Sequence, residues 1–303
     1  MDLSLEKYHS YTIKVKSEAT ARKYKHSAKM FIQFLNDQRV TDFSRLPRNT
    51  MQAFTAMLID KGYSPSSITL YTVGAQQYLK WCRDQGADLP HLAKPSPPRS
   101  TLRVKEVLKR EDILTFFQVC NEQLKEPIRT AVMLMPCSGL RATEMATLEL
   151  DAIQKVDIRL QDGTSKTCLA LRVIGKGRKE RYVPLLDEGQ QLLTQYITGW
   201  RRGKGGSWLF PKNKQSPKPL MYYSVWDGVR KVRHAMNAKI TPHTLRRTYA
   251  TTMWRRKVAD TTIAKILGHE NLQTLYKHYL NMSAEDLSEA VQNKGGKLLE
   301  NRK

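Results

Sequence analysis

Four prolines fall within the twelve residues from Pro90 to Thr101, and they constrain the fold more than any other stretch of the chain. Proline fixes its own φ and has no amide proton, so this run can continue neither a helix nor a central strand. It forms an extended, semi-stiff connector. The 303 residues therefore divide into two units, each long enough to build a core. The divisions drawn on this basis are a first unit over 1–92, a linker over 93–103, a second unit over 104–293 and a tail over 294–303.

Upstream of the connector, apolar residues recur at helical spacing. A first helix is expected around Leu3 to Val15. Ser17 to Thr20 supply cap residues for a second, with Tyr24, Ala28, Phe31 and Leu35 on one face. Asn49 and Thr50 can cap a third, which carries Met51, Phe54, Met57 and Leu58. Ser64 followed by Pro65 opens a fourth, whose stripe of Ile68, Tyr71, Ala75, Tyr78, Leu79 and Cys82 stops at Gly86. Downstream, helices are expected near 110–120 and 127–136, then a turn at Ser138-Gly139 and a short helix from Arg141. Val156 to Leu160, Lys166 to Ile174 and Arg181 to Leu185 read as strands, the last two joined through Gly175-Lys176-Gly177. Helices follow at about 187–200, 224–238, 243–257, 260–267, 272–280 and 284–292. The expected class is mainly α with a small antiparallel β-sheet: an N-terminal four-helix domain, then an α+β domain.

Lys plus Arg number 51 against 28 Asp plus Glu, a formal net charge of +23. Such an excess points first to nucleic acid and second to an acidic membrane surface. No run of 18 apolar residues exists, the first twenty residues lack a signal-peptide core, and no lipidation motif is visible at either end. The expected partner is double-stranded DNA rather than membrane, and the expected place is the cytoplasm, on the nucleoid. Cys82, Cys120, Cys137 and Cys168 are too far apart for a zinc or redox motif, so they read as buried, reduced thiols. Neither a metal nor a cofactor is expected.

One set of residues suits phosphodiester chemistry. The transition state of that reaction loads charge onto non-bridging oxygens, and arginine offers a planar fork to meet it. Arg141 follows the Ser138-Gly139-Leu140 turn at a helix start, with Glu144 placed to pair with it or to cap locally. A surface Arg–Glu pair is the plain alternative. Lys176 sits between two glycines at a hairpin tip, with Arg178, Lys179 and Arg181 beside it; a solvated basic turn looks the same in sequence. His243 and Arg246 are three apart at a helix start prepared by Thr241 and Pro242. His269 follows Gly268 and could simply cap a helix C-terminus. Tyr279 is the candidate nucleophile; Tyr276 shares its helical face, and spacing does not separate the two.

Taken together, these segments resemble the tyrosine site-specific recombinases, the family of phage integrases and Xer-type resolvases. The matching stretches are Ser138-Gly139-Leu140-Arg141-Ala142-Thr143-Glu144, the hairpin Gly175 to Arg181, Pro242 to Thr251, and Leu267-Gly268-His269 with the five residues after it. The resemblance implies a core-binding helical domain, then a catalytic domain with a C-terminal docking helix near Ala284 to Gln292. It makes Arg141 and Arg246 a phosphate clamp and Lys176 the acid for the leaving 5′ oxygen. His243 assists proton movement, His269 bonds a non-bridging oxygen, and Tyr279 forms a 3′-phosphotyrosyl link. Arg178, Lys179, Arg181 and Arg247 would contact DNA. A Holliday junction and a homo-tetramer on two DNA sites follow, with accessory proteins in some systems. Many members place the tyrosine nine residues after the last histidine; here His278 holds that place, Tyr279 is at ten and Tyr276 at seven. Cys137 stands where a small residue is usual, and the extra arm-binding domain of lambda-type integrases is not expected. The alternatives are a type IB topoisomerase and a DNA-binding or architectural protein that never cleaves.

Overall fold

The computed structural model describes residues 4–40, 42–98, 106–159, 162–175, 179–213, 216, 218–269, 271–273 and 275. The chain splits into two compact units, Met1–Arg103 and Val104–Lys303.

The first unit holds four α-helices among its described residues: α1 (Leu5–Val15), α2 (Glu18–Asp37), α3 (Thr50–Asp60) and α4 (Pro65–Asp84). Ser17 and Ser64 cap as the sequence suggests, Ser4 caps a first helix that was expected to start at Leu3, and the expected cap Asn49 makes no side-chain cap bond. Ser4, Ser17 and Ser64 each accept an amide from three residues on, satisfying one of the donors that a helix start leaves without an intrahelical partner. The core is aromatic. Phe31, Phe34 and Phe54 pack edge-on and tilted at one place, and Tyr8, Tyr78 and Trp81 at another. Edge-on ring contacts of this kind add about 1 kcal/mol beyond area burial.

The second unit opens with α5 (Arg110–Gln123), α6 (Ile128–Ser138) and α7 (Ala142–Ala146). A three-stranded antiparallel sheet follows in the order β1 (Ile153–Arg159), β2 (Ser165–Ile174) and β3 (Glu180–Pro184). Then come α8 (Asp187–Thr198), α9 (Tyr222–Ala235), α10 (Pro242–Arg255) and α11 (Asp260–Leu267). α6 is buried along its length and forms the centre of the core, with α8, α9 and α10 packed on it. It runs past Pro136 to Ser138, two residues beyond the expected end. β1 begins at Ile153, three residues before the expected Val156, because its first residues pair with the inner half of β2. Cys120 and Cys137 lie in this core, where burial pushes both thiols up to about 12. The helix expected over 284–292 and the tail from 294 lie outside the described residues.

Candidate active site

Two helix ends and one carboxylate build the site. α6 stops at Gly139, whose φ of +65° is a left-handed conformation that side chains resist. A Cβ there would also sit 2.6 Å from the Tyr249 ring. α11 stops in the same way at Gly268, φ +66°, and the amides turn back on the helix: His269 N to Ala264 O at 2.9 Å and Gly268 N to Lys265 O at 3.0 Å. This double return is the Schellman arrangement, and it places His269 just past the helix end.

Helix ends leave carbonyls exposed, with negative partial charge. Arg246 of α10 takes one from each. Its Nη1 donates to Gly139 O at 2.6 Å and its Nη2 to Leu267 O at 2.5 Å. Arg246 is 0 % exposed, so its charge is fixed within the protein. Nη2 is also 3.2 Å from His269 Nε2. A guanidinium has no acceptor, so within this contact Nε2 is the accepting atom.

Glu144 completes the cluster. From the first turn of α7 its Oε2 accepts the Arg141 amide at 2.9 Å, and its Oε1 accepts Arg141 Nη1 at 2.7 Å. Arg181 Nη2 donates to Oε2 at 2.8 Å, and Arg246 Nη1 lies 3.8 Å from the same oxygen. Burial acts to raise the pKa of this carboxyl, but the hydrogen bonds and charges of Arg181 and Arg141 outweigh it and hold the group below its ordinary value of 4.5. Three guanidiniums on one carboxylate leave excess positive charge, beside a histidine and next to the half-exposed Arg141. That is an anion-binding arrangement.

The structure thus brings Arg141, Arg246 and His269 together. His243 stands exposed on the first turn of α10, whose entry is a reciprocal cap between Thr241 and Thr244. Arg247 is half-buried and donates to Glu106 O and Thr244 Oγ1. Lys179 is exposed at the base of the hairpin, where its carbonyl accepts the Gly175 amide at 2.8 Å. Arg181 sits differently from the outward, DNA-facing position expected of it. Its side chain is 10 % exposed and points inward, with Nε on Ile266 O at 2.7 Å. The cause is strand alternation: Arg181 pairs with the buried Val173 and shares a face with buried Val183, while Tyr182 between them faces out. Lys176, Arg178, Tyr276 and Tyr279 lie outside the described residues. Among the described residues, no group of three or more His, Cys, Asp or Glu is arranged to hold a metal. Among them too, no helix is long and apolar enough to cross a membrane.

Sequence reasoning assigned Glu144 to Arg141 and missed its wider part as the hub for Arg181 and Arg246. The available signal was chemical: a carboxylate three residues past a candidate phosphate arginine, in a chain whose charge is so strongly positive.

Comparison with known proteins gives the family. The phage integrase family matches residues 106–286, and the N-terminal SAM-like domain of phage integrases matches residues 5–86. Tyrosine recombinase XerA of Pyrococcus furiosus is 29% identical over 282 residues, covering 92% of this chain and 91% of the relative. Tyrosine recombinase XerD of Staphylococcus haemolyticus is 26% identical over 276 residues, covering 86% and 88%. In fold, the chain is similar to the XerH site-specific recombinase in a post-cleavage complex with palindromic difH substrate. The TM-score there is 0.71 at 17% identity, over 95% of this chain and 84% of the other. A lambda integrase dimer bound to a COC′ core site gives 0.67 at 17% identity, over 89% and 95%. The chain belongs to the phage integrase family, the tyrosine recombinases, which cleave and rejoin DNA strands in site-specific recombination.

Proposed function

We propose that the Arg141–Arg246–His269 cluster holds the scissile phosphate of a specific duplex site while Tyr279 attacks it. The observation that carries this reading is the fixed placement of Arg246, buried and held between two helix ends, beside His269 and sharing Glu144 with Arg141. Groups locked before substrate arrives cost little reorganisation when charge develops. The phosphate oxygens approach from the side where Arg141 and His269 are partly exposed. To donate through Nε2, the His269 ring gives up its contact with Arg246 and takes a proton on that nitrogen, by tautomer exchange or by protonation, as it meets a phosphate oxygen.

In this scheme the Tyr279 phenol gives up its proton with help from His243, and its oxygen bonds to phosphorus. The bond to the 5′ oxygen breaks, and Lys176 protonates that leaving group. The 3′-phosphotyrosyl link conserves the energy of the broken bond, so rejoining needs no nucleotide. The guanidiniums and imidazole supply the positive charge, and the chemistry calls for no metal. A 5′-hydroxyl from a partner strand then attacks the link and expels the phenol. Two such rounds, passing through a Holliday junction, recombine two duplexes held by four protomers. Residues 1–92 act as the core-binding domain and 104–293 as the catalytic domain, joined by the linker over 93–103. Ala284 to Gln292 docks on a neighbouring protomer, Lys179 and Arg247 contact DNA, and the setting is the cytoplasmic nucleoid.

The test begins by selecting the bound duplex from a random pool and nicking it near the cleavage position. Incubation with the protein is expected to give a protein–DNA adduct that survives SDS, and strand exchange with a second duplex. Arg246→Ala is expected to slow adduct formation by roughly 10²-fold or more, the scale of removing a transition-state donor. An adduct with supercoil relaxation but no exchange makes the protein a type IB topoisomerase; binding without adduct makes it architectural.

A further inference from the structure

The end of α11 uses all four of the carbonyls that a helix leaves over. Two are taken within the cap, Ala264 O by His269 N and Lys265 O by Gly268 N. The other two go to arginines from distant elements: Leu267 O to Arg246 Nη2 and Ile266 O to Arg181 Nε. The same two arginines meet again at their other ends on Glu144 Oε2, Arg181 at 2.8 Å and Arg246 at 3.8 Å. They are parallel struts between one carboxylate and one helix end. Arg246 comes from α10 and Arg181 from β3.

The backbone is shaped around the Arg181 guanidinium. A Cβ added at Gly268 would lie 3.2 Å from Arg181 Cδ, Nε and Nη1, and one added at Gly175 would lie 3.2 Å from Nη1. Burying a guanidinium is costly unless carboxylate and carbonyl partners offset it. An apolar side chain would fill the space at lower cost but would anchor nothing.

We propose that Arg181 is a positioning residue for the reaction. Its two bonds fix the height of the α11 end relative to Glu144, and so set where the His269 ring stands. The inference rests on reading this cluster as the phosphate clamp. Without Arg181, Ile266 O loses its donor, Glu144 loses one of its two hydrogen-bonded guanidiniums, and the His269 corner can shift along the Arg246 strut.

The test compares wild type, Arg181→Gln and Arg181→Lys in the full chain. Single-turnover adduct formation is followed at saturating nicked duplex and scaled to the fraction competent to bind DNA. Affinity and its salt dependence are measured beside it. Misplacement by about 1 Å costs on the order of 10²-fold in rate, so Arg181→Gln is expected to lose about 30-fold or more, with Kd changed less than about 3-fold. Lysine, a compact charge without the two-sided fork, is expected to fall between the two. In a His269→Ala background, Arg181→Gln is expected to cost less than about 3-fold, because the group it positions is gone. An equal loss in both backgrounds, a wild-type rate in Arg181→Gln, or a loss confined to Kd and the salt slope would each overturn the proposal; the last would make Arg181 a DNA contact. If wild type itself forms no adduct, the clamp reading fails first and this inference with it, an outcome separate from an active wild type with a fully active variant.

Discussion

Glu144 carries the charge that holds Arg141 and Arg181 in place and steadies Arg246. Its folded-state pKa is depressed, so its contribution to stability is complete above its ordinary value of 4.5 and is lost as pH falls through the lower, folded-state value. Replacing it with glutamine leaves guanidiniums buried against a neutral amide. Breaking a buried pair costs about 3–5 kcal/mol, and Glu144→Gln is expected near the low end, because Arg141 is half-exposed. Denaturant unfolding at neutral pH checks the loss. The gap between wild type and variant is expected to narrow as pH drops below about 4.5, since protonation removes the charge from wild type as well. At this scale the sequence was legible for Arg141, Arg246 and His269, which carry recognisable neighbours. It was less so for Arg181, which sat in a run of cations and was read with them as outward-facing. The strand pattern held the correction: Tyr182 is exposed and Val183 is not, so the residue two before Val183 belongs inside.

Among the elements, α10 is the one on which the site depends most. It enters through Thr241, whose Oγ1 accepts the Thr244 amide while Thr244 Oγ1 accepts the Thr241 amide. Pro242 then supplies a preset φ at the first helical position. Thr248, two turns in, receives the Leu108 amide and ties the start of the second unit to this helix. Thr241→Ala is expected to cost about 1 kcal/mol of stability, the usual loss for a cap, and to leave DNA affinity nearly unchanged; thermal melting and a binding titration check both. Helix starts of this kind were readable because Ser, Thr and Pro mark them locally. Strand and helix limits were not, because tertiary pairing sets them. β1 starts early to meet the inner half of β2, and α6 keeps its geometry through Pro136 because packing from α8, α9 and α10 surrounds it.

For the molecule as a whole, the +23 charge governs how DNA is held. Each phosphate neutralised releases counterion, so affinity is expected to fall linearly on a log–log plot against salt, with a slope near −0.9 per phosphate contacted. Arg247→Ala is expected to reduce that slope by about 1 for any duplex sequence, because a phosphate contact carries no base information. A titration between roughly 50 and 200 mM salt resolves it. The two-unit division was legible from the prolines. The identity of the DNA site was not, because base-edge contacts and duplex deformability leave no local mark in a sequence.

The central claim is that the arginine–histidine cluster delivers a phosphate to Tyr279. Trapping the protein on its nicked site, digesting the adduct and mapping the nucleotide-bearing peptide by mass spectrometry tests it most directly. The account predicts the modification on Tyr279, with Tyr279→Phe still binding DNA and forming no adduct. Modification of Tyr276 instead, or an adduct that persists in Tyr279→Phe, contradicts it.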